Sequence, residues 1–202
     1  MSAADMDLLI ATRNTHKLIE IQGLLEGLPL RIDTLSSHPG LVEPEETGTT
    51  FAENARLKAI YYSQHTGRRS VAEDSGLEID GLDGDPGVRS ARFDGASYSE
   101  KFATIYARLR GRGEAGSTAR FVCALAVAQG RRITFEARGV VEGTIARTPA
   151  GAAGFGYDPI FFYPPYARTL AQVSAAEKAA VSHRGQAFRA LRSHLVAALG
   201  GP

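Results

Sequence analysis

The segment DLLIAT, residues 7 to 12, is an unbroken apolar run that predicts a buried strand, and HKLIEIQGLLEGL then places Leu18, Ile21, Leu25 and Leu28 at helical spacing. Strand followed by helix is how an α/β fold opens. RIDTL predicts a second strand, and the polar stretch SSHPGLVEPEETG behind it is rich in turn formers. Thr50, with Glu53 one turn on, has the spacing of a capping box and predicts a helix through about Tyr62. Val71-Ala72 and Leu77 to Asp80 read as strand-like pieces on either side of an acidic glycine turn, Glu73-Asp74-Ser75-Gly76. A glycine-rich loop, GLDGDPGVRSARF, leads to a helix from about Ser99 to Leu109, and two long strands follow in ARFVCALAVA and RITFEARGVVEGTIA. Ser174 with Glu177 repeats the capping signature, and the tail sets Phe188, Leu191, Leu195 and Leu199 on one helical face. Helices at both ends with long strands between them predict a mixed sheet flanked by helices. No repeat, low-complexity tract or linker divides the 202 residues, so one compact unit is expected.

Composition narrows the partners. The 23 basic and 22 acidic residues nearly cancel, which removes any global field for nucleic acid or an anionic membrane and makes attraction for an anion local. The single cysteine, Cys123, has no disulfide partner and suits a reducing compartment; within RFVCALAVA it reads as a small buried residue. The first residues lack a basic segment ahead of a long apolar one, and no apolar run approaches the roughly 20 residues of a membrane helix. A cytoplasmic location is therefore expected.

Several stretches carry groups with chemistry. In ATRNTHK, Thr12, Asn14 and Lys17 lie where a strand gives way to a helix, a place where backbone N–H groups and the helix dipole favour an anion; ordinary capping and a surface lysine also explain them. In EPEETGTTFAENARLKA, Glu45 and Glu46 precede a glycine turn, and Asn54 and Lys58 share a helical face; a solvated acidic loop is the plainer account. Asp74 ends a buried run, where a carboxylate can orient water or join Glu46 in holding magnesium; a polar loop at a strand end is the alternative. GAAGFGYDPIFF offers glycines for close approach to a planar ligand, Phe155 or Tyr157 for stacking and Asp158 as an acceptor; a hairpin turn with core aromatics is the alternative. EKAAVSHRGQA gathers Lys178, His183 and Arg184, which also read as a basic helix end. Together these are the parts of a nucleoside triphosphate site. There is no Walker sequence and no dinucleotide fingerprint.

ATRNTHK, EETGTTFAENARLKA, EDSGLEIDGLDGDPGVRSARF, GFGYDPIFF and EKAAVSHRGQA, in this order along almost the whole chain, resemble the inosine triphosphate pyrophosphatase family, the dITP/XTP pyrophosphatases. The resemblance implies an α/β, ITPase-like (Maf/Ham1-type) fold: a long mixed sheet flanked by helices, residues 1–202 forming one domain of two lobes with an active-site cleft between them, and usually a homodimer. It implies hydrolysis of ITP, dITP or XTP to the monophosphate and pyrophosphate, the house-cleaning of the nucleotide pool. Thr12, Arg13, Asn14, Thr15, His16, Lys17 and Lys58 would meet the triphosphate, with Ser75 also touching substrate. Glu46 and Asp74 would bind Mg2+, with Asp74 the general base and Glu73 supporting the metal shell. Phe155, Gly156, Tyr157 and Asp158 would form the base pocket, and Lys178, His183 and Arg184 would read the 6-oxo edge. Three positions depart from the family's usual pattern: Glu73 for a second aspartate, Arg13 for a glycine and His16 for a small residue. A Maf-type pyrophosphatase, which the SHRGQA block disfavours, and a nucleotide sensor without catalysis are the competing readings.

Overall fold

The computed structural model describes residues 7–199. The elements are β1 (Asp7–Ile10), α1 (Thr15–Leu25), β2 (Arg31–Thr34), α2 (Phe51–Thr66), β3 (Ser70–Ile79), α3 (Tyr98–Arg112), β4 (Thr118–Gln129), β5 (Arg132–Ile145), β6 (Phe161–Tyr163), β7 (Arg168–Thr169), α4 (Ala175–Val181) and α5 (His183–Leu199). The sheet runs β2-β1-β3-β4-β5-β6-β7. It is mixed: β1 pairs in parallel with β2 and β3, while β6 pairs antiparallel with β5 and β7.

The chain divides into two compact units, one of Met1–Asp74, Cys123–Gly139 and Arg184–Pro202, the other of Ser75–Val122 and Val140–His183. The first unit has a core of Leu8 and Ile10 from β1, Ile21 and Leu25 from α1, Cys123, Leu125 and Val127 from β4, and Phe188, Leu191 and Leu195 from α5. The helical stripes expected of α1 and α5 are the faces it buries, each large side chain contributing about 1.5–3 kcal/mol. Of the stripe expected of α1, Leu18 only flanks this core, and so does Leu28, which lies beyond the helix end where Gly27 turns left-handed at φ 77°. The side chain of Leu199 lies outside what is described. The second unit has its own core, in which Leu77 and Ile79 of β3, Phe102 and Ile105 of α3, Phe121 of β4 and Phe161 of β6 take part.

Thr50/Glu53, Ser97/Glu100 and Ser174/Glu177 all close capping boxes, at the starts of α2, α3 and α4. The acidic glycine turn is the correction. Residues 70–79 are one uninterrupted strand, and Gly76 is needed for close approach rather than for turning. A Cβ on Gly76 would stand 2.2 Å from Ser90 Oγ, the hydroxyl that accepts from Leu77 N at 2.9 Å. Among the described residues, no helix is long and apolar enough to cross a membrane.

Candidate active site

Short polar side chains build the amino end of α1. Asn14 is its N-cap, Oδ1 accepting from Lys17 N at 3.1 Å, and Thr12 Oγ1 accepts from Asn14 N at 3.2 Å. Thr15 and His16 are exposed on the first turn. Lys17 carries its Nζ to 2.6 Å from Glu73 Oε1. Arg13 is drawn elsewhere: Nη2 donates to Leu41 O, and Nε lies 3.5 Å from Glu43 Oε1.

The capping box that starts α2 fixes the face from which Asn54 and Lys58 project, one turn apart. Asn54 Nδ2 donates to Asp74 Oδ2 at 3.1 Å, and its Oδ1 accepts from Gly48 N at 2.8 Å. One amide thus holds both Asp74 and the turn just after Glu46. Lys58 Nζ makes a short ion pair with Glu46 Oε1 and lies 3.4 Å from Asp74 Oδ1. Two carboxylates distant in sequence therefore converge on one ammonium. Burial pushes the Asp74 carboxyl above its ordinary pKa; Lys58 opposes this, and Glu46 adds to it.

Glu73 belongs to another set of contacts. Besides Lys17, it meets Arg184 Nη2, 3.3 Å from Oε1, and accepts from Cys123 Sγ at 3.2 Å. Burial alone would raise its pKa, but Arg184 and then Lys17 hold the carboxyl well below the usual range. Successive strand residues project to opposite faces, so on a continuous β3 Glu73 and Asp74 acquire different partners. Glu73, expected to support a metal shell, is here a buried carboxylate beside Lys17 and Arg184. Arg184 is likewise committed, its Nη1 donating to Glu20 Oε2 at 2.7 Å and its side chain only 2% exposed. The guanidinium expected to read the 6-oxo edge of a base thus takes part in an ion cluster with Glu20 and Glu73.

Glu46 and Asp74 suit a hard divalent cation on chemical grounds. Their oxygens approach a common positive centre, and burial first and then the charge of Glu46 raise Asp74, an arrangement that a dication would favour. Among the described residues no three His, Cys, Asp or Glu side chains gather as a metal cage. Magnesium held by one or two carboxylates, waters and phosphate oxygens needs no such cage.

The second unit holds the other expected residues. Asp158 Oδ2 accepts from Phe155 N at 2.8 Å and from Lys178 Nζ at 2.6 Å. A Cβ on Gly154, at φ 71°, would stand 2.1 Å from that oxygen, so only glycine closes this loop. Lys178 Nζ also lies 4.6 Å from the centroid of the Phe155 ring. Tyr157 is buried, its Oη donating to Ser90 O at 2.8 Å, so its ring belongs to the core. His183 stacks on Phe121 at 4.8 Å between centroids. Ser75, half-buried in β3, falls in this unit.

Sequence reasoning left Asn54 without a role. Its spacing to Lys58 identified the face, and the polar residue on an otherwise core-facing helix was the available signal. Cys123 was read as a small buried residue; it is buried, and it also donates to Glu73.

The sequence profile of the Ham1 family matches residues 8–194. The chain belongs to the Ham1 family. A dITP/XTP pyrophosphatase of an Exiguobacterium species is 45% identical over 196 residues, covering 97% of this chain and 100% of that protein. Among Ham1 structures, a HAM1 protein from Coxiella burnetii superposes with a TM-score of 0.88 at 37% identity, covering 95% of this chain and 98% of that one. A nucleoside-triphosphatase / dITP/XTP pyrophosphatase from Mycobacterium abscessus matches with a TM-score of 0.74 at 40% identity, covering 94% and 99%. The Ham1 fold is thus the α/β fold of this chain.

Proposed function

We propose that the protein hydrolyses non-standard purine nucleoside triphosphates, ITP, dITP and XTP, to the nucleoside monophosphate and pyrophosphate. The observation that carries this reading is the convergence of Glu46 and Asp74 on Lys58, with Asn54 fixing Asp74. Full-length similarity to curated dITP/XTP pyrophosphatases supports the substrate class.

The amino end of α1, with Thr12, Asn14 and Lys17, binds the triphosphate oxygens, and Lys58 adds a second ammonium. Magnesium bound by Glu46 and Asp74 would supply charge neutralisation to the phosphates. Asp74, held by the Asn54 amide, orients a water toward the α-phosphorus and accepts its proton. The bond between the α- and β-phosphates breaks, and the ammonium groups stabilise the departing pyrophosphate. The loop from Phe155 to Asp158, with Lys178 and His183, takes the purine. Donors facing a 6-oxo group would face another donor in adenine, and a buried site penalises that mismatch.

We further propose that the enzyme works in the cytoplasm as a homodimer, in keeping with its lone cysteine and its family resemblance. Light scattering at micromolar concentration checks the dimer. The activity is tested by pyrophosphate release from ITP, XTP, dITP, ATP and GTP at equal concentration, with magnesium and with a chelator. Metal-dependent release confined largely to the first three is expected. ITP binding without release from any of them would replace the enzyme by a nucleotide sensor.

A further inference from the structure

Tyr98 opens α3 directly after its N-cap, Ser97. It is 41% exposed, which for a lone surface tyrosine would mean little. This ring is braced, however. It meets Tyr157 edge-on at 5.3 Å with an interplanar angle of 89°, and Lys101 Nζ lies 5.0 Å from its centroid while donating to Ala91 O at 2.6 Å. Its Oη and two ring atoms stand 3.5 to 3.8 Å from the point a Cβ would occupy on Gly156, whose φ of 67° keeps that position a glycine. No side chain on Gly156 therefore screens the ring from the backbone of the 154–158 loop. Burial and then the negative charge of Asp158 push the Tyr98 phenol up, so the ring is within electrical reach of that loop's acid. Tyr157 is consumed by its bond to Ser90, and Phe155 carries Lys178 on its ring. Tyr98 is the most exposed aromatic ring of the three.

We infer that Tyr98 is a base-positioning residue, packing its ring against the planar oxo-purine held by the 154–158 loop. This rests on the base-pocket reading above. A flat ring braced on a helix end offers contact area at small entropic cost, and stacking a base on an aromatic is worth about 1–3 kcal/mol, or roughly fivefold and upward in affinity.

The chain contains no tryptophan, so Tyr98→Trp introduces a single indole reporter. IMP and ITP should quench its emission saturably, and inorganic triphosphate, which lacks a base, should not. In parallel, Tyr98→Ala should raise the KM for ITP about fivefold or more while leaving inhibition by inorganic triphosphate unchanged, and Tyr98→Phe should restore the KM. Flat emission together with an unchanged KM in Tyr98→Ala, in protein that still turns over ITP, would reduce Tyr98 to packing at a helix end. Equal weakening of ITP and inorganic triphosphate would also overturn the proposal, since it signals general damage. A wild-type protein that neither binds IMP nor cleaves ITP would remove the pyrophosphatase reading itself, a result distinct from the failure of Tyr98 alone.

Discussion

Asn54 donates to Asp74 at 3.1 Å across a gap that no local sequence rule connects, and the same amide accepts from Gly48 at 2.8 Å. One buried side chain therefore sets the orientation of the carboxylate read as the base and of the loop that carries its partner acid. A Cβ on Gly48 would fall 2.6 Å from the Asn54 oxygen, so the glycine is part of the same device.

Replacing Asp74 by Asn removes the proton acceptor while keeping the shape. Turnover of ITP should fall by about 100-fold or more. Binding of a non-hydrolysable triphosphate, measured by calorimetry, should persist. Near-normal turnover would take Asp74 out of the base role.

Glu73 should behave differently. Its removal leaves Arg184 and Lys17 without their shared buried counter-charge, a change that costs about 3–5 kcal/mol. Urea unfolding of Glu73→Ala against wild type measures this, with a lower midpoint expected. A stability loss near zero would mean that the cluster is solvated.

Gly76→Ala tests the close approach of Ser90 to β3. The added methyl meets Ser90 Oγ at 2.2 Å and Gly87 O at 2.6 Å, so the strand or the turn has to shift. A loss of about 1–3 kcal/mol is expected. The double variant with Ser90→Ala should recover only part of it, because Gly87 O remains in the way.

Asp85 gives a pH signature. Burial alone would raise its carboxyl, but hydrogen bonds from Arg108 and Arg89, each at 2.8 Å, hold it below the ordinary value of 3.8. A depressed folded pKa stabilises above the unfolded value, and the contribution is lost as pH falls through the folded one. Asp85→Asn should therefore lower Tm by about 2 °C at pH 7, in line with partly exposed ion pairs. The gap to wild type should close as the pH is brought below 3.8. A constant gap across that range would show that the arginines contribute nothing through charge.

The sequence by itself determined the elements and the blocks. Capping boxes are local hydrogen-bond rules, so Thr50 and Ser174 marked helix starts correctly, and the apolar stripe through Phe188, Leu191 and Leu195 identified a buried face. The ordered motifs likewise carried the family. The tertiary structure alone decided which charges meet. Whether Glu73 and Asp74 act together depends on β3 being a strand rather than a turn, and its pairing within the sheet shows that it is a strand. The pairing of Arg184 with Glu20 and Glu73 rests on α1, β3 and α5 coming together, as does that of Lys58 with Glu46 and Asp74 on a loop, a helix and a strand. Charge interactions fall off with distance in space, and the separation of these residues along the chain says nothing of that distance.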